Sequence, residues 1–377
     1  MSGLTRGLAR GLCRTLIALS PPSLRDWARA ISQETDTIDD DRAALRFAID
    51  SLAGLIPGIV TTHLFGDTFA MSATDLRRRP QAVGIACAIA ATILGAAYMA
   101  AAGAPMRNLA INGGALAVGL LIAFGLRRTP AGVPGLGTLI MALMLIVTAA
   151  LGDRAEGAAR WWTIGGLSVQ PSLILLPLML VGFARARNIL ATIGILLATV
   201  AMAAQPDRAM AGMLAIGTVT LAAMKPDRYV LAAVVAGIVG FAVALVQPDT
   251  LPAMPYVDQI LYTAFEVHPL AGLAVLGGSV LLLVPAIVGA LYDRDRRESY
   301  AVFGVVWLSA IAAAAVGNYP TPIVGYGGSA VIGYVLSLMA LPKIAQVAAG
   351  VRGATRGRPV DASPPDSRTR EMLGYPG

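Results

Sequence analysis

From Gln81 onward, apolar residues come in long runs divided by short polar interruptions: 81–103, 107–126, 133–152, 171–184, 188–204, 209–224, 229–247, 260–291, 301–317 and 325–347. Most of these ten runs are near the ~20 residues with which a helix crosses ~30 Å of hydrocarbon. The pattern predicts an all-α polytopic membrane protein with a ten-helix core over 81–347. The 171–184 run is short, and 260–291 is long enough to include a loop. Three interruptions repeat: Gln205-Pro206-Asp207-Arg208, Lys225-Pro226-Asp227-Arg228 and Gln247-Pro248-Asp249-Thr250. Proline stops one helix, and the aspartate is placed to cap the next. Successive copies lie one crossing apart and so alternate sides, which keeps the three aspartates from sharing one site.

The first 80 residues read as an amphipathic, partly soluble helical segment. Leu4, Leu8, Leu12 and Leu16 fall on one helical face, and Arg6, Arg10 and Arg14 on another. Arginine interrupts the apolar part of this start, so an interfacial helix is expected rather than a secretory signal. The stretch 46–66 contains Asp50 and Pro57 and is expected to lie flat or dip into the membrane. Residues 348–377 read as a disordered tail.

Composition agrees with a lipid-solvated chain. Hydrophobic residues make up 56% and charged residues 14%, against roughly 25% charged in a globular domain. The net charge of +7 has a topological origin. With Arg77, Arg78 and Arg79 placed in the cytoplasm, inside loops hold twelve Arg and Lys residues and outside loops four. That bias predicts cytoplasmic termini, with 153–170, 205–208, 248–259 and 318–324 facing out. Positive loops of this kind exclude a nucleic-acid role. Cys13 and Cys87 form no disulfide framework, and the distant His63 and His268 make no metal site, so no metal or cofactor is expected.

The unusual polar residues gather on the expected outer side. They lie in "GAARWWTIGGLSVQPS" (157–172), "MAAQPDRAM" (202–210) and "PTPIVGYGGSA" (320–330). Taken alone, Arg160 with Trp161 and Trp162 reads as an aromatic belt, and Gln170-Pro171-Ser172 as a helix cap. The three stretches, in this order and each before the matching run, resemble the SEDS family (FtsW, RodA, SpoVE). That family has ten transmembrane helices and carries Gly-x-x-Arg-Trp with Gln-Pro-Ser-Glu, Gln-Pro-Asp-Leu-Gly-Thr, and Pro-Leu-Pro-Phe-x-Ser-Tyr-Gly-Gly-Ser. The resemblance covers roughly 81–347.

The resemblance implies a peptidoglycan glycosyltransferase that polymerises lipid II on the outer face of the bacterial inner membrane, with a role in shape or division. Lipid II or another undecaprenyl-linked sugar is then the ligand, and a single-span transpeptidase (a penicillin-binding protein) the partner. The family's essential acid falls on Asp258, and a following glutamate on Glu266. If both lie on one helix, eight residues put them on nearly the same face about 12 Å apart. Asp258 is expected to act as general base and Glu266 to shape the cavity. Arg160 and Arg208 are the cations for a diphosphate. The cavity walls are expected from Trp161, Gln170, Ser172, Asp207 and the lip formed by Pro322, Tyr326, Gly327, Gly328 and Ser329, with Ser329 capping the last helix. The sequence departs from the family at Leu173, in place of glutamate, and in the short connection 247–256. Two further readings therefore stand beside the enzyme: a lapsed scaffold for a cell-wall partner, and a transporter of lipid-linked precursors.

Overall fold

The computed structural model describes residues 2–20, 24–51, 79–126, 134–249 and 251–342. The rest of the 46–66 stretch, the Arg77–Arg78 pair and the 348–377 tail lie outside these residues. Among the described residues, three helices precede the core: α1 (Ser2–Leu19), α2 (Arg25–Thr37) and α3 (41–51). The expected leucine face of α1 is divided, with Leu16 buried and Leu8 exposed. Ala9 and Cys13 pack with Ala48 of α3, and Leu16 packs with Ala28 of α2. Two of its arginines face acidic partners. Arg6 pairs with Asp41 at 3.4 Å and Arg10 with Asp36 at 3.0 Å.

The core is built of apolar helices: α4 (Pro80–Ala101), α5 (Met106–Leu126), α6 (Pro134–Leu151), α7 (Pro171–Arg185), α8 (Ile189–Ala204), α9 (Arg208–Met224), α10 (Arg228–Val246), α11 (Ile260–Val267), α12 (Pro269–Leu281), α13 (Val284–Tyr292), α14 (Arg297–Val316) and α15 (Gly328–Ala340). Among the described residues, five helical stretches are long and apolar enough to cross a membrane, and five shorter apolar helices accompany them. The 260–291 run is divided: α11 ends at His268, whose Nδ1 accepts from Leu270 N and caps α12.

Polar punctuation sets the other helix starts. Asn188 caps α8, Asp207 caps α9, and Asp227 caps α10 through two backbone N–H groups. Asp249, the third copy of the repeat, turns elsewhere. Between α6 and α7 the chain adds a small antiparallel sheet, β1 (Asp153–Ala155), β2 (Ala158–Ile164) and β3 (Leu167–Val169), where only a loop was expected.

α15 is the most buried helix of the core and packs between α5 and α7. Its Gly333 lets the backbones touch, because a Cβ there would stand 2.1 Å from the carbonyl oxygen of Leu173. Backbone cannot retreat as a side-chain tip can, so Gly333→Ala is expected to cost about 1–3 kcal/mol or more. Thermal unfolding of the detergent-purified protein measures this. Gly277→Ala, into open space on α12, serves as the unaffected control.

Candidate functional site

The end of the core that carries the sheet gathers buried polar side chains from four connections. β2 begins with three buried residues, Ala158, Ala159 and Arg160. The strand thereby drives a guanidinium inward, with 3% of its side chain exposed. Arg160 Nε donates to Gln205 O at 3.3 Å, and Nη2 donates to Pro206 O. Nη2 also pairs with Asp249 Oδ2 at 3.0 Å. Trp161 lies beside the guanidinium, with its ring centroid 5.9 Å away. Trp162 donates to Thr148 on α6 and fastens the sheet to the bundle.

Asp207 is the second buried acid. Its Oδ1 accepts from Met210 N at 3.1 Å, while Oδ2 accepts from Gln170 Nε2 at 3.1 Å and lies 3.5 Å from Ser172 Oγ. Gln170 and Ser172 therefore do not cap α7 through their side chains; they solvate a carboxylate. Ser329 does not cap α15 either. It sits inside the first turn and accepts from Gln170 N at 2.9 Å. Burial holds the Asp207 carboxyl above the ordinary carboxylate range, against the pull of Arg160 and the Met210 N–H.

Asp249 was missed at the sequence level, although the repeat contained the signal. The Asp207 and Asp249 copies are two crossings apart, which returns them to the same end. Here Asp249 pairs with Arg160, whose charge also acts on Asp207, while Asp227 pairs with Arg187 at 2.8 Å. Tyr319 joins the group by donating from its hydroxyl to Asp249 Oδ2 at 2.7 Å. Burial, then that hydrogen bond, pushes the Tyr319 phenol up.

Asp258 and Glu266 do not share a helix face. Tyr256 and Gln259 adopt left-handed backbone (φ 63° and 58°), so α11 starts only at Ile260. Asp258 is buried in the preceding turn, where Oδ2 accepts from Met254 N at 2.8 Å and Oδ1 has no partner. Glu266 is exposed. Burial raises the Asp258 carboxyl, and the Met254 N–H partly offsets the rise.

The expected extended lip is a buried turn. Thr321 to Gly325 are all buried, and Val324 N donates back to Pro322 O at 2.8 Å. Thr321 N and Tyr326 N bond Val257 O and Tyr256 O, which binds this turn to the chain before Asp258. Asn112 of α5, a second residue overlooked in the sequence, holds the turn from the other side. Its Nδ2 donates to Gly325 O at 2.8 Å, and its Oδ1 accepts from Gly327 N at 3.0 Å. Gly328 then opens α15. On α4, a Cβ at Gly95 would meet Val324 O at 2.5 Å, so that glycine admits the turn into the bundle.

A cavity of about 610 Å³ opens beside this network. Apolar residues of α9, α10 and α14 form its flank, including Met213, Phe241 and Val316. Arg208, Asp249, Gln259, Asn318 and Tyr319 form its polar end. Arg208 donates from Nε to Ala244 O and from Nη2 to Gln247 O. Arg160, Asp207 and Asp258 are not in its wall. Such a space, greasy along one side and hydrogen-bonding at one end, suits an amphiphile with an anionic head.

Removing one partner of a buried ion pair leaves an uncompensated charge, so Arg160→Ala is expected to cost about 3–5 kcal/mol. Arg160→Met combined with Asp249→Leu should recover much of that loss in the same unfolding measurement. The buried Asp258 gives a second test. Its folded pKa lies above its unfolded one, so its contribution is full below the unfolded value and is lost as pH rises through the raised value. Unfolding temperatures should therefore fall as pH rises above the ordinary carboxylate range, with buried Asp207 acting in the same direction, and Asp258→Asn should reduce the slope.

No protein-family model matches the chain, and no curated protein matches it. Solved structures do. The crystal structure of the Thermus thermophilus rod shape determining protein RodA superposes with a TM-score of 0.51 at 22% identity, covering 68% of this chain and 93% of RodA. An aspartate-to-alanine mutant of the same RodA matches with the same score and identity over 68% and 94%. The chain has the RodA fold, which is the fold that the SEDS resemblance implied.

Proposed function

We propose that this protein is a SEDS-like peptidoglycan glycosyltransferase that joins lipid-linked sugars into glycan strands on the outer face of a bacterial inner membrane. The observation that carries this reading is the cavity, whose apolar flank suits a polyprenyl chain and whose polar end offers Arg208 to a diphosphate. Asp258 immediately precedes Gln259, which lines that end. Its unpartnered oxygen and raised affinity for protons suit a general base. A hydroxyl of one sugar attacks the anomeric carbon of another. The new glycosidic C–O bond forms as the bond to the diphosphate breaks, the hydroxyl proton passes to Asp258, and the undecaprenyl diphosphate leaves toward Arg208. The sheet end is then the outer end, the termini are cytoplasmic, and a single-span penicillin-binding protein is the partner that crosslinks the strands.

A scaffold reading draws on two observations: Asp258 is held by Met254 outside the cavity wall, and Glu266 is exposed. Purified protein supplied with lipid II separates the readings. The enzyme predicts strands on a gel, a loss of about 100-fold or more in Asp258→Ala, and weaker lipid II binding in Arg208→Ala. Strands undiminished in Asp258→Ala would remove the base assignment. A wild type that binds lipid II without polymerising it would favour the scaffold, and lipid II crossing sealed vesicles without polymer would favour a transporter.

A further inference from the structure

The network of Arg160, Asp207, Gln170 and Ser329 does not stand alone behind the large cavity. A second, much smaller void of about 10 Å³ lies against it, lined by Gln170, Leu173 and Asp207 among others. That is about the space of one water. The two voids have three wall residues in common, Ala209, Ala313 and Tyr319. Two of these carry a single methyl group. Of the three, Tyr319 alone has a bulky side chain.

We infer that Tyr319 is a gate between the large cavity and the buried polar pocket, latched shut by Asp249. The latch is short and charged. Tyr319 donates to Asp249 Oδ2 at 2.7 Å, and the same oxygen is held by Arg160 at 3.0 Å. The ring has room to rest because its neighbour is Gly317, where a Cβ would stand 2.9 Å from the ring carbon Cε2. Tyr319 itself is only partly buried, and the chain on both sides of it is irregular. One hydrogen bond to an ionised acid therefore separates a closed ring from a rotated one. Releasing it is expected to raise the open population by roughly 10- to 100-fold. With the ring turned aside, Gln170 and Asp207 become accessible to whatever occupies the large cavity. The inference concerns access alone and holds for an enzyme, a scaffold or a transporter.

Thiol accessibility tests it in the full-length purified chain. With Cys13→Ala and Cys87→Ala as background, Leu173→Cys reports on the inner pocket and Ser309→Cys on the large cavity. A small methanethiosulfonate reagent should modify Ser309→Cys at the same rate in every variant. It should modify Leu173→Cys at least 10-fold more slowly while Tyr319 is intact. Adding Tyr319→Ala should abolish that difference. Tyr319→Phe, which keeps the ring and lacks the latch, should narrow it, as should Asp249→Asn. If Tyr319→Ala does not yield monodisperse protein, the comparison with Tyr319→Phe decides. Equal rates at both reporters with Tyr319 in place would overturn the gate. So would a slow Leu173→Cys rate that neither Tyr319→Phe nor Asp249→Asn changes.

Discussion

A guanidinium in the interior of a membrane protein has to be matched by acceptors from the protein itself, because neither lipid nor bulk water reaches it. Arg160 is that group here. Strand β2 carries it inward, and its N–H groups are met by two backbone carbonyls of the α8–α9 connection and by Asp249 from the α10–α11 connection. Three connections far apart in sequence are held together by one side chain. Tyr319 bonds the Asp249 that Arg160 holds, and Asp207 follows directly on Pro206, whose carbonyl Arg160 binds, so Gln170 meets Asp207 next to that anchored connection.

The same need for satisfied polar groups explains the turn at 320–327. An irregular segment inside a helical bundle exposes backbone N–H and C=O groups that require partners. Asn112 supplies both a donor and an acceptor, and the segment 256–257 supplies carbonyls. Gly95 and Gly333 remove the side chains that would keep backbones apart. The turn is thereby fastened to the chain that presents Asp258 and Gln259. A lesion in the turn should be felt at the cavity through these bonds.

The cavity and the charge network are separate environments side by side. The apolar flank lies between helices and Asp249 reaches the polar end, while Arg160, Asp207 and Asp258 stand outside the cavity wall. Arg208 stands at the boundary, with its guanidinium anchored to carbonyls at the end of α10. Burial of Asp207 and Asp258 favours their protonated forms, which lowers the electrostatic cost of keeping two acids away from water. The α10–α11 connection is short, yet its Asp249 reaches the centre of this arrangement.

Much of the fold was legible along the chain because lipid imposes a simple demand. A crossing segment must be long, apolar and helical, so the apolar runs, their proline and aspartate punctuation, and three motif stretches pointed to a bundle of apolar helices, though not to the number of crossings. The motifs also marked Arg160, Gln170, Ser172, Asp207 and Ser329, which the structure brings into one network. Their partners were another matter. Asp249 looked like a third helix cap, Asn112 drew no attention inside an apolar run, and Asp258 and Glu266 looked like neighbours on one face. A periodicity describes a residue only within its own helix. Which acid meets the arginine, which amide holds the turn, and where α11 begins depend on contacts between connections tens to hundreds of residues apart. Satisfying buried polar groups in three dimensions decided those.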